Sequence, residues 1–154
     1  MSTKPNALQL RPVVDIVAAV LLIIALWPMR YLAAPRWSVA VVTDDGHPLA
    51  NTNVRLVYQN YSAEGRSHEL TLTTDENGRV LFPAQYERVC VLQRLYYTVS
   101  SAGAGVHASF GRHAYVLAFG GGYEGNAVDG KHLTDWRGTP DSMESRIVVK
   151  KANI

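Results

Sequence analysis

Residues 37–58 read WSVAVVTDDGHPLANTNVRLVY, and residues 68–83 read HELTLTTDENGRVLFP. Each apolar run is short, alternates with polar residues and stops at an Asp, Asn, Gly or Pro cluster. That pattern predicts antiparallel strands joined by turns. The first strand covers Ser38 to Thr43, and Thr43-Asp44-Asp45-Gly46-His47-Pro48 turns the chain, with Asp side chains bonding back to nearby amides. In the second strand Val54, Leu56 and Tyr58 share the buried face, while Arg55, Val57 and Gln59 take the other. Leu70 and Leu72 mark a third strand, with Glu69, Thr71 and Thr73 outward. Asn77-Gly78 is a hairpin signal, and Val80 and Phe82 face inward on the strand that Pro83 stops.

These residues resemble a known family. The pattern D-x-G-x-P-L-A-x-x-x-V-x-L-x-Y is carried by Asp44, Gly46, Pro48, Leu49, Ala50, Val54, Leu56 and Tyr58. It is followed by T-D-x-x-G-x-V-x-F on Thr74, Asp75, Gly78, Val80 and Phe82. Together they are similar to the carboxypeptidase regulatory-like domains, within the transthyretin-like (prealbumin-like) β-sandwiches. The likeness covers residues 38–83, under half of the sandwich-sized region, and the second motif is the more specific. It implies a binding or structural module, and with no peptidase in this chain, an accessory role. Hydroxyisourate hydrolases of the same superfamily use a His ahead of the first turn and end in Tyr-Arg-Gly-Ser. Here the first strand is Ser38-Val39-Ala40-Val41 and the end is Lys150-Lys151-Ala152-Asn153-Ile154, so that activity is not expected.

Ahead of the β-rich region lies a different composition. Lys4 and Arg11 precede the apolar sequence VVDIVAAVLLIIALWPM, of which Ile16 to Met29 is uncharged and Arg30 follows. The run is short of the ~20 residues a spanning helix needs. It reaches that length if Val13 and Val14 join it and Tyr31 to Ala34 finish the crossing, with Trp27 and Tyr31 at the interface. A cleaved signal peptide, giving a secreted domain, is the alternative. Leu32-Ala33-Ala34 makes a poor cleavage site, which favours an uncleaved signal anchor. The expected layout is therefore a single-pass transmembrane segment over 1–36 and a β-sandwich over 37–154. The amino terminus would be cytoplasmic and the C-terminal domain extracytoplasmic.

Beyond Pro83, Val89, Leu92, Leu95/Tyr96 and Val99 follow helical spacing, which predicts an inserted amphipathic helix over Arg88–Tyr97, laid on an open sheet end. Strands over the same residues, best at Tyr97 to Ser100, are the alternative. Ser100 to Gly105 reads as a turn, Val106–Phe110 and His113–Phe119 as strands, Gly120-Gly121-Gly122 as a loop, and Ser145–Lys150 as the closing strand. About seven strands in all suit an antiparallel sandwich.

The 154 residues carry a net charge of +2 and no Lys/Arg block, so nucleic acid is not an expected partner. The lone Cys90 excludes an internal disulfide framework, and reads as a small buried apolar side chain. Among the five histidines, His107 and His113 flank an expected turn and are the candidate metal pair. The glycine run lacks the Gly-Lys-Ser/Thr ending of a phosphate loop, and no nucleophile elbow surrounds Ser109 or another hydroxyl. The acids of the two turns lack a calcium loop's spacing. No catalytic residue and no cofactor is expected. Tyr123 and Trp136 are the candidate binding residues. The reading is a membrane-anchored module with a non-catalytic binding or structural role and an envelope protein as partner. The alternative is a small metal-binding protein or enzyme using His107 and His113.

Overall fold

The structure is a computed structural model; it describes residues 7–125 and 135–151, with side chains over 11–122 and 135–150. Two helices and ten strands are formed among these residues. Helix α1 covers Ala7–Leu26 and α2 covers Val91–Ala102. The strands are β1 Met29–Ala34, β2 Arg36–Thr43, β3 Asn53–Asn60, β4 His68–Thr73, β5 Arg79–Phe82 and β6 Gln85–Val89. They continue as β7 Arg112–Gly120, β8 Tyr123–Gly125, β9 Asp135–Trp136 and β10 Ser142–Lys151.

One large sheet runs in the order β4-β3-β7-β8-β10-β2-β5, with β9 on the side of β7, and β1 pairs with β6 as a separate ribbon. The large sheet folds over on itself as a sandwich. Alternate residues of its two halves enter one core: Trp37, Val39 and Val41 from β2 and Ile147 and Val149 from β10 on one side. Val54 and Leu56 from β3 and Val116 and Ala118 from β7 complete it on the other. Period-two burial is the physical reason the alternating sequence folds this way, since successive side chains of a strand point to opposite faces. Trp37, fully buried, donates its indole N–H to Ser145 Oγ at 2.9 Å, which satisfies the polar atom that its burial would otherwise leave without water.

The strands read at the N-terminal half of the sandwich are all present, and β4 alternates along its length with Glu69, Thr71 and Thr73 exposed. Val57 departs from the expected wet face and is buried. It lies between Glu69 of β4 and Tyr115 of β7 in register, and a strand flanked on both sides has its outer face covered too. The sandwich is not wholly antiparallel: β10 runs parallel to β2, from Ser142 opposite Arg36 to Val149 opposite Thr43. The number of strands exceeds the expected seven because β1, β6, β8 and β9 form where no alternation announces them.

The Asp75–Gly78 turn shows why its residues are needed. Asp75 Oδ1 accepts from the Asn77 and Arg79 amides at 2.9 and 2.8 Å. Gly78 has φ +68°, and a Cβ there would stand 2.6 Å from the Val41 carbonyl oxygen and 2.8 Å from the Leu49 nitrogen.

Several expectations are corrected. Tyr31 to Ala34 does not extend the apolar helix. It is strand β1, paired with β6, and Ala33 and Ala34 are core residues. Among the described residues no helix is long and apolar enough to cross a membrane. Arg11, Pro12 and Asp15 interrupt the first half of α1. The second helix exists but begins at Val91 rather than Arg88 and runs to Ala102, and it is not a strand over Tyr97 to Ser100. Cys90 is not a buried apolar side chain. It is half-exposed and caps α2, its Sγ accepting the Gln93 amide at 3.4 Å. Val106 to Phe110 is not a strand: Gly105–His107 is a single 3-10 turn, followed by irregular chain. Gly120-Gly121-Gly122, all at positive φ, make the turn of the β7–β8 hairpin.

Candidate functional site

The clefts of the sandwich differ in chemistry. One, of about 490 Å³, lies on the outer side of β2, β5 and β10. Arg36, Arg79, Asp75 and Glu144 ring it with balanced charge.

A second cleft, about 310 Å³, has a more directed lining of Tyr61, Ser109, Phe110, Arg112, His113 and Arg137 among others. Sheet register builds it. His113 stands opposite Gln59 of β3, and the pairing of β9 with β7 sets Asp135 opposite Tyr115. His113 and Tyr115, two apart on β7, therefore share the outer face, and His113 Nε2 reaches the Asp135 carboxylate. Tyr61 enters from the loop after β3, its amide donating to Gly111 O at 2.9 Å, and its ring lies 6.4 Å from the His113 ring. Arg137 contacts Asp135 at 3.4 Å and is largely exposed. A carboxylate on one imidazole nitrogen orients the ring. The cleft can therefore offer a fixed imidazole, a phenol and a guanidinium to a small polar group.

The expected metal pair is not set in one hairpin. His107 is exposed on the 3-10 turn, and the hairpin that would have faced it to His113 does not form. Among the described residues no group of three His, Cys, Asp or Glu side chains is placed to hold a metal ion. Trp136 is a core residue rather than part of a polar surface loop. It is 1% exposed, faces the core opposite the small Ala114, and donates its indole N–H to Pro140 O at 2.6 Å. The Arg112 guanidinium lies 5.4 Å from its ring while donating to Leu32 O and Gly138 O. Tyr123 opens β8, opposite Gly120, and its side chain lies outside the described residues, as does all of His132.

Sequence reasoning missed a polar cluster beneath the β1–β6 ribbon. His68 pairs with Glu64 at 2.6 Å and stacks on Tyr58 with ring centres 5.1 Å apart. Asn60 is buried; its Oδ1 accepts the Ser62 amide at 3.1 Å and its backbone N–H donates to Glu64 Oε1 at 2.9 Å. Its Nδ2 makes no hydrogen bond of good geometry, although the amide is near enough to Tyr31 to favour the phenolate. Burial outweighs that effect. The Tyr31 phenol is pushed up to about 12, first by loss of water and then by the Glu64 charge, with Glu87 adding to it. Tyr58 is raised as well, by burial and then by Glu87 and Glu64. Only the His68–Glu64 spacing of four residues was available as a signal, and it is uninformative outside a helix.

The surface also carries unusual apolar area. From Val13 to Leu26, α1 has every large apolar side chain about half or more exposed, on all sides of the helix, and Trp27 just past its end is exposed too. Helix α2 has no buried residue at all. Its apolar side chains Leu92, Leu95, Tyr96 and Val99 form one side, and Gln93, Tyr97 and Ser101 the other. The second set holds the sandwich. Gln93 Nε2 donates to Ala63 O at 3.0 Å and Ser101 Oγ to Tyr61 O at 2.9 Å. The Tyr97 ring covers Gly65, where a Cβ would meet it at 3.2 Å. The helix is thus docked by the opposite face from the one its spacing predicts.

No family model matches this chain, and no curated protein matches it. Among solved structures it is similar to 3-chlorocatechol 1,2-dioxygenase from Rhodococcus opacus 1CP, at 16% identity and a TM-score of 0.46. The match covers 84% of this chain and 64% of that one, so the chain spans less than two thirds of the dioxygenase's length.

Proposed function

We propose that this chain is a membrane-anchored β-sandwich acting as a non-catalytic binding module at the extracytoplasmic side of the cell envelope, with an envelope protein as its partner. One observation carries the anchoring: beyond Asp15, α1 is apolar on all sides from Ile16 to Leu26 and packs almost none of that surface into the fold. A large aliphatic side chain gains about 1.5–3 kcal/mol on leaving water. A helix that presents ten of them from Val13 to Leu26 therefore has a drive on the order of 10 kcal/mol or more toward a lipid phase. Arg11 and Asp15, one turn apart on the helix, are spaced to pair and would lie toward the far interface. Trp27, 65% exposed, would take the near interface, where indoles concentrate.

The regulatory-domain resemblance of residues 38–83 supports the binding role. The alternative that used His107 with His113 gains no support from their placement. External protease added to intact cells, followed by mass analysis of the membrane fraction, tests the arrangement. The sandwich should be cut from outside and the intact form should retain its first residues. Protection of the sandwich until the membrane is permeabilised would refute the outward orientation.

A further inference from the structure

We propose that α2 is a second membrane contact, an interfacial helix whose Leu92, Leu95, Tyr96 and Val99 side lies among the lipid headgroups and upper acyl chains beside α1. The inference rests on α1 being a membrane anchor, and adds that the sandwich is held against the bilayer in one orientation rather than swinging on a tether.

The topology places the helix for this role. Met29 pairs with Val89 at one end of the β1–β6 ribbon. Helix α1 ends at Leu26, just before Met29, and α2 starts at Val91, just after Val89. Both helices therefore leave the same end of one rigid ribbon, and they touch each other. If α1 enters a bilayer there, the start of α2 lies at its surface.

The way α2 is docked settles which side meets the lipid. A helix on a water-soluble domain turns its apolar stripe to the core. This one does the reverse, holding the domain with Gln93, Tyr97 and Ser101 and leaving Leu95 60%, Tyr96 67% and Val99 63% exposed. The apolar side chains line an open, almost wholly apolar trough of about 390 Å³ with Ser100 at its edge. An amphipathic helix of this kind lies in the plane of the interface, its apolar side sunk below the headgroups.

The charges around the root fit an anionic lipid surface. Arg30 and Arg88 stand opposite each other on the ribbon, both exposed, and Arg94 is exposed on α2 itself. Arg30 also lies 4.0 Å over the exposed Tyr86 ring. Arginines at this depth keep their charge among phosphates while their stems cover apolar surface.

The test uses the full chain in vesicles of phosphatidylcholine and phosphatidylglycerol, some carrying a nitroxide on the acyl chain. In a Cys90→Ser background, which keeps a capping hydroxyl on α2, single Leu95→Cys, Thr98→Cys and Ile23→Cys variants receive an environment-sensitive fluorophore. All three positions are exposed in the fold, so the labels leave packing intact. The expected result is several-fold stronger quenching by the lipid nitroxide at Leu95→Cys than at Thr98→Cys, with iodide in the water showing the opposite order. Equal quenching at the two positions, with Ile23→Cys still quenched by lipid, overturns the interfacial role and leaves the anchor standing. A label at Leu95→Cys shielded from both quenchers also overturns it, because protein then covers the face. Absence of lipid quenching at Ile23→Cys refutes the anchor and this inference together.

Discussion

Single side chains account for the most specific behaviour of the fold. Tyr31 is a core-facing phenol placed by β1 against Asn60 and two carboxylates, Glu64 and Glu87. Its pKa is raised from 10.0 to about 12 by burial first. The folded state therefore holds this proton more tightly than the unfolded chain does. The stabilising contribution is complete below pH 10 and is lost as pH rises from there toward 12. In a phenolate absorbance titration of the folded protein, Tyr31→Phe should remove one tyrosine from the latest phase and none from the phase near pH 10. Loss from the earlier phase instead would mean that Tyr31 is in contact with water. None of this was legible in the sequence, because the cluster joins residues from β1, the loop after β3 and β6, and no short motif spans them. Trp136 misled for a related reason. Its polar neighbours in the chain suggest a surface loop, whereas two-residue pairing of β9 with β7 turns its indole into the core over Ala114.

At the scale of elements, the Asp75–Gly78 turn forms from the residues that announce it, but it joins β4 to β5, which pair with β3 and β2, and so does not close the expected hairpin. Positive φ at Gly78 and back-bonding from Asp75 are local requirements, so local sequence announces them. Gly78 has a second role that only the fold reveals, the close approach of the Val41 and Leu49 backbones. Gly78→Ala should destabilise the protein by more than about 2 kcal/mol, since left-handed strain and a backbone clash act together. Denaturant melts would show it, and a change below half a unit of that scale would mean that the turn can open at little cost. The strands over residues 38–82 were readable because one face is wet and the other dry. The β1–β6 ribbon was not, since β1 is continuous with an apolar segment and its alternation is hidden there. Helix α2 was readable as a helix from its spacing, but the side it presents to the sandwich was not. Spacing reports that a helix has an apolar side and is silent on whether protein or lipid covers it.

For the whole molecule, the architecture divides into a sandwich that satisfies its own apolar surface and two helices that do not. Trp37, Phe82, Leu56 and Ile147 are fully enclosed, while nearly every large apolar side chain of α1 and α2 faces outward. A water-surrounded protein rarely leaves a contiguous apolar surface of that extent, and when one is present it marks an interaction site. In the proposed function the sandwich, with its resemblance over residues 38–83, takes the binding role and the two helices take the membrane address. Alkaline-carbonate extraction of membranes from cells making the full chain tests that address most directly. The account predicts that the intact protein stays in the membrane pellet, while a Leu21→Asp/Ile24→Asp variant moves to the supernatant with its sandwich folded. Release of the unaltered chain into the supernatant would contradict it.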